Sequence, residues 1–128
     1  MTCLDSDVVI NFLRGDEKSV SLINNLEKNN EAIHITAINE FELWKGVLRS
    51  NRKDSFSLLK QFIEKVNVLA FDSESSKKSA EIFENLKSHG EMVDVLDVMI
   101  ASIVITHNQS LLTNNKKHFS RIKGLSLL

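Results

Sequence analysis

Between Met92 and Ile105 almost every residue is apolar or small, and a chain can place such a run only as a helix buried on most of its sides. Two carboxylates interrupt it, Asp94 and Asp97, three residues apart and therefore on one helical face. Burying an ionised carboxylate is costly unless a partner or a cation compensates it, and no basic residue lies between Glu91 and His107. The run ends at His107-Asn108, where Asn suits a left-handed cap, and a short apolar strand follows from Ser110 to Thr113. A helix that enters a strand through so tight a turn runs antiparallel to it. If that strand is parallel to its sheet neighbours, Asp94 and Asp97 stand at the carboxyl edge beside the Asn114-Asn115 loop, where open α/β sheets keep their sites. Two readings remain at this point. Either Asp94 is an N-cap and Asp97 a first-turn dipole partner, or the acids are ligands.

The preceding chain alternates strands and helices. Met1 to Asp5 is a short buried strand, and Val8, Val9, Phe12 and Leu13 continue in helical rhythm to Gly15. Asp5 is the last residue of what should be the central strand, so its side chain should emerge at the carboxyl edge, while Asp7 suits an N-cap. A helix over Lys18 to Lys28 leads to a strand over Glu31 to Ile35, with Thr36 as a cap. Ala37 to Arg49 is helical, with Ile38, Phe41, Trp44, Val47 and Leu48 expected on its core side and Glu42 at the edge of that stripe. A helix marked by Phe56, Leu59, Ile63 and Val66 is followed by a strand near Val68 to Phe71. Asp72 then starts a helix lined by Ala80, Phe83 and Leu86 and ending at Gly90. After the opening run come a helical turn at Lys116 to Ile122, a break at Gly124 and a terminal strand, Leu125 to Leu128. This alternation argues an α/β fold, a parallel sheet covered on both faces, in one domain over residues 1–128.

Composition narrows the class. The 128 residues suffice for a core without disulfides, and the single cysteine, Cys3, lies in an apolar run as a small buried hydrophobe. No secretory signal and no uncharged apolar run of bilayer length is present, so a cytoplasmic protein without a membrane role is expected. The net charge of −1 gives no field that would attract nucleic acid to the whole chain, although a carboxylate site masks local basicity. The four histidines lack the spacing of a zinc site.

Asp5, Glu42, Asp94 and Asp97, with Asn115 and Asp7 nearby, are thus the candidate site. Carboxylates that converge raise one another's affinity for protons, and a hard divalent ion resolves the conflict. Mg²⁺ or Mn²⁺ on oxygen ligands, without histidine or thiolate, points to phosphodiester hydrolysis more than to amide chemistry.

The motifs then support a resemblance. Leu4-Asp5-Ser6-Asp7-Val8-Val9-Ile10 resembles the opening motif of the PIN-domain ribonucleases, and Ile35-Thr36 through Glu42-Leu43-Trp44-Lys45-Gly46 resembles their second motif. Asp97-Val98-Met99-Ile100-Ala101 is similar to the third, and Leu112-Thr113-Asn114-Asn115 with His118-Phe119 is similar to the fourth. All four occur in order, across essentially the whole chain, and its size is similar to that of the VapC-type toxins. The resemblance implies a three-layer α/β/α PIN-like domain with a central parallel sheet of four to five strands. It implies an Mg²⁺- or Mn²⁺-dependent endoribonuclease that cuts structured RNA such as tRNA or rRNA. It further implies a homodimer, inhibited by a small antitoxin whose tail covers the site. Residue by residue, it makes Asp5, Glu42 and Asp97 metal ligands and gives Asn115 a catalytic place where many members have Asp. Asp94 falls before the third motif's aspartate, which favours its capping role.

Lys45, Arg49 and Lys53 recur at helical spacing beside Arg52, and Lys116, Lys117 and Arg121 flank the Asn115 loop. Each set is either a phosphate contact or an ordinary solvated face. Two rival functions fit part of the pattern. A haloacid-dehalogenase-like phosphatase would use Asp5 as nucleophile, Asp7 as acid/base and Asp94/Asp97 for Mg²⁺, but expects a strand directly before that last pair. A non-catalytic PIN-like binding module would be expected to lack one of the three core acids, and none is missing.

Overall fold

The computed structural model describes residues 1–92 and 94–128; Val93, within the opening apolar run, lies outside the described residues. In chain order the elements are β1 (Thr2–Leu4), α1 (Ser6–Leu13), α2 (Glu17–Lys28), β2 (Ile33–Thr36), α3 (Ala37–Arg49) and α4 (Ser55–Lys65). They continue with β3 (Asn67–Leu69), α5 (Ser73–Ser88), α6 (Val95–Thr106), β4 (Ser110–Leu112), α7 (Lys116–Phe119) and β5 (Ser126–Leu127). The strands form one five-stranded sheet in the order β3-β2-β1-β4-β5, every pair parallel. The chain winds outward from β1 to β3 on one side and returns to β4 and β5 on the other. The topological switch therefore falls at the carboxyl end of β1, which is where Asp5 stands.

The period-two alternation of the strands divides the core. Leu4, Ile33 and Ile35 face α1 to α4 in a cluster with Val8, Val9, Ile23, Leu43, Leu59 and Phe62. Cys3 and Leu111 face the other way and join Ile82, Leu86, Val98, Ile100, Val104, Phe119 and Ile122. After its first turn helix α6 is buried on most sides, as its largely apolar sequence requires, and Ser102 is accommodated by donating to the Val98 carbonyl at 2.7 Å. Asn108 takes a left-handed φ of 55° and turns the chain directly into β4. That turn returns the first turn of α6 to the carboxyl edge. Among the described residues no helix is long and apolar enough to cross a membrane.

Three helical faces differ from the expected ones. On α3 the buried residues are Asn39 and Leu43, while Phe41 is 51% and Leu48 75% exposed, although both were expected on the core side. On α4, Leu59 and Phe62 are buried and Phe56 is 52% exposed. On α5, Ile82 and Leu86 are buried and Ala80 is exposed. For α3 the cause is the fully buried Asn39, whose hydrogen bonds outweigh the apolar stripe and rotate the helix. The rotation leaves Glu42 half-buried at the sheet edge.

Candidate active site

Asp5 follows β1 in an extended conformation and caps α1, with only 7% of its surface exposed. Its backbone N–H donates to the Leu112 carbonyl of β4 at 2.9 Å, so the cap is held by the sheet as well as by the helix. Three donors meet its carboxylate. Ser6 N–H and Asn39 Nδ2 reach Oδ1 at 2.9 and 3.2 Å, and the Thr113 hydroxyl reaches Oδ2 at 2.7 Å. Burial pushes its pKa up, and these donors work against the rise.

Glu42 accepts the Ser6 hydroxyl on Oε1 at 2.7 Å. Burial raises its pKa first; the Ser6 hydrogen bond opposes this, while the charges of Asp5 and Asp94 add to it. Asp97 sits in the first turn of α6 with its side chain 20% exposed, and Oδ2 lies 2.9 Å from His118 Nε2 on α7. Burial, then Asp94, Asp5 and Glu42, push Asp97 up to about 7, and Arg121 partly opposes them. The N-termini of α1 and α6 point their positive dipole ends at these acids and offset part of the repulsion.

Asp94 is an exposed N-cap that accepts from Leu96 N–H at 3.0 Å and Asp97 N–H at 3.4 Å. Asp7 does not cap α1, a position that Asp5 takes. Asp7 Oδ2 instead accepts Asn114 N–H at 3.1 Å and ties α1 to the loop after β4; its other oxygen is buried without a partner among the described residues. Burial and then the Asp5 charge raise the Asp7 pKa. Asn115 stands at the start of α7, exposed, with its N–H donated to the Thr113 hydroxyl at 3.0 Å. Thr113 therefore links the Asn115 backbone to Asp5.

The donor chemistry suits a divalent cation. The three acids offer carboxylate oxygens, and among the described residues each keeps acceptor capacity that meets no protein donor: the second lone pair of Asp5 Oδ2, Glu42 Oε2 and Asp97 Oδ1. Among the described residues, however, no three Asp, Glu, His or Cys side chains stand close enough to make a ready-formed metal cage. The described residues between α5, which ends at Ser88, and α6 include no strand, contrary to what a dehalogenase-like phosphatase requires.

Lys45, Arg49 and Lys116 are exposed, with the Lys45 ammonium 5.3 Å from the centre of the Phe41 ring. Arg121 is committed elsewhere. It donates to Glu91 at 3.0 Å and to the Met92 and His118 carbonyls at 2.8 and 3.0 Å, so it fastens α7 to the segment before α6 instead of presenting itself to phosphate. Ser6, Asn39 and Thr113, to which the motifs alone assign no role, hold Asp5. The visible signal was the Thr36-x-x-Asn39 spacing of a capping box, which the structure contains. Two apolar cavities, of about 150 Å³ between α1, α3 and α4 and about 380 Å³ among α1, α2 and α4, lie away from these acids.

Comparison with known proteins agrees with this fold. The family model described as PIN domain matches residues 2–125. Ribonuclease VapC2 of Rickettsia felis is 34% identical over 110 residues, which span 84% of this chain and 82% of that protein. The tRNA(fMet)-specific endonuclease VapC of Shigella flexneri is 26% identical over 95% of this chain and 92% of its own length. A crystal structure of VapBC2 from Rickettsia felis, bound to a DNA fragment from its promoter, superposes with a TM-score of 0.90 at 28% identity. It covers 99% of this chain and 96% of that one.

Proposed function

Since the chain belongs to the PIN domain family, we propose that it is the ribonuclease toxin of a toxin–antitoxin pair, using Mg²⁺ or Mn²⁺ to cut structured RNA such as tRNA or rRNA. The observation that carries this reading is the trio of acids at one sheet edge, from the end of β1, from α3 and from the first turn of α6. The charges of Asp5 and Glu42 both raise the pKa of Asp97. Asp5, Glu42 and Asp97 hold the cation, and Asn115 completes the site from the loop after β4. A cation bound there supplies a water of lowered pKa and positive charge to offset the displacement at phosphorus. Asp5 is held by its three donors with one lone pair free, and Asp97 shares its other oxygen with His118. Lys45, Arg49 and Lys116 hold RNA phosphates, a contribution that weakens as salt rises. Asp94 acts as a helix cap.

The partners are RNA and a small antitoxin protein, in the cytoplasm. The exposed Phe41, Leu48 and Phe56, with Trp44 packed against Phe56 in a tilted pair at 5.0 Å between centroids, form the surface of a symmetric homodimer. The test is cleavage of a tRNA and rRNA mixture by purified protein with Mg²⁺ or Mn²⁺ and then with EDTA. Cleavage that stops with the chelator is expected. Undiminished cleavage, in protein proved free of contaminating nuclease, would refute the metal assignment.

A further inference from the structure

Asn39 is fully buried and makes more polar contacts than a helix cap needs. The orientation of its amide follows from the backbone. Thr36 N–H can only donate, so the Asn39 atom 3.0 Å from it is the carbonyl oxygen, which also receives the Thr36 hydroxyl at 2.7 Å. The NH₂ end must then face the site, where it donates to Asp5 Oδ1 at 3.2 Å and to Ser6 Oγ at 2.9 Å. Because Ser6 Oγ accepts from Asn39, its single hydroxyl proton is left for Glu42 Oε1, at 2.7 Å. Every hydrogen bond in the series thus has one direction, from the end of β2 through Asn39 and Ser6 to the two carboxylates.

We propose that Asn39 is a positioning residue of the reaction, fixing which oxygens of Asp5 directly, and of Glu42 through Ser6, remain to face the cation. The inference rests on the metal-ion reading above. It deepens that reading because neither Asn39 nor Ser6 belongs to the set of acids. A neutral amide serves here where a third carboxylate would not: an acid at position 39 would present an acceptor to Asp5 and Ser6 and reverse the series.

The chain itself supplies a control for the purely structural alternative. At the start of α5, Asp72 and Ser75 form the same capping box with a serine in the third helical position. Asp72 N–H donates to Ser75 Oγ at 2.8 Å, and Ser75 N–H donates to Asp72 Oδ1 at 2.9 Å. Asn39→Ser should therefore keep the cap on α3 while being too short to reach Asp5 and Ser6. Ser6→Ala keeps Asn39 in place and cuts only the connection to Glu42.

The experiment is calorimetric titration of Mn²⁺ into wild type, Asn39→Ser and Ser6→Ala, with thermal unfolding and steady-state RNA cleavage of the same samples. Loss of an outer-shell partner typically weakens metal binding about 10- to 100-fold. Both variants should lose about 10-fold or more in Mn²⁺ affinity and in kcat, with KM for RNA little changed. Asn39→Ser should still unfold cooperatively, at a lower temperature than the wild type because the buried donors to Asp5 and Ser6 are lost. Wild-type Mn²⁺ affinity in a folded Asn39→Ser protein would reduce Asn39 to a cap and overturn the proposal. If Asn39→Ser fails to fold, Ser6→Ala decides alone, and wild-type affinity there overturns it equally. Failure of the wild type to bind Mn²⁺ would bring down the metal-ion reading and this inference together.

Discussion

Replacing Asp97 by Asn removes one negative charge and keeps the size and the acceptor that faces His118 Nε2. With its pKa pushed to about 7 from the ordinary 3.8, Asp97 binds its proton more tightly folded than unfolded. The stability it confers is therefore complete below about pH 3.8 and is lost as pH rises through about 7. At full value the separation corresponds to about 4 kcal/mol, at about 1.36 kcal/mol for each pH unit. The side chain retains 20% exposure, and solvent screening reduces this to roughly 2 kcal/mol. In EDTA at pH 8, Asp97→Asn should then be the more stable protein, by about 6–8 °C in Tm for a domain of this size. At pH 4 the two proteins should unfold within about 2 °C of each other. The assay is calorimetric unfolding of both at a series of pH values with chelator present, paired with RNA cleavage in Mn²⁺. There the variant should lose about 10²-fold, or ~2.7 kcal/mol of transition-state stabilisation. A stability difference that does not change with pH, or a variant less stable at pH 8, would show that repulsion at Asp97 has been misjudged.

Asp94 should behave differently from its neighbour. Asp94→Asn keeps the cap and should change stability and cleavage little, whereas Asp94→Ala should cost about 1 kcal/mol in denaturant unfolding; an inactive Asp94→Asn would mean that the wrong carboxylate was assigned to the metal. For assembly, light scattering should give twice the chain mass for the wild type at micromolar concentration and a monomer mass for Leu48→Glu. A monomeric wild type would remove the dimer.

Much of the fold was legible because the physics that sets it is local. The largely apolar run of α6, the Asn108 turn and the short apolar segment of β4 determine direction as well as element type, so the return of Asp97 to the carboxyl edge followed from them. Helix α3 kept its expected bounds, Ala37 to Arg49, but not its expected face. An apolar-stripe argument counts Phe41, Trp44 and Leu48. It gives no weight to an amide whose acceptors, Asp5 and Ser6, lie 34 and 33 residues away in the chain. The contact of Asp97 with His118 was hidden for the same reason, since it joins α6 to α7 across β4. Arg121 looked free because its partners, Glu91 and the Met92 carbonyl, are close only in the folded chain. Acids that end strands or start helices can thus be read from sequence, while the neutral residues that orient them depend on tertiary contacts.

Whether Asp5, Glu42 and Asp97 share a cation is tested most directly by diffraction from crystals soaked in Mn²⁺. An anomalous peak between Asp5 and Asp97, within about 2.0–2.3 Å of carboxylate oxygens, is the expected result. No peak there, or Mn²⁺ bound elsewhere with Asp5 and Asp97 left as they stand, would contradict it.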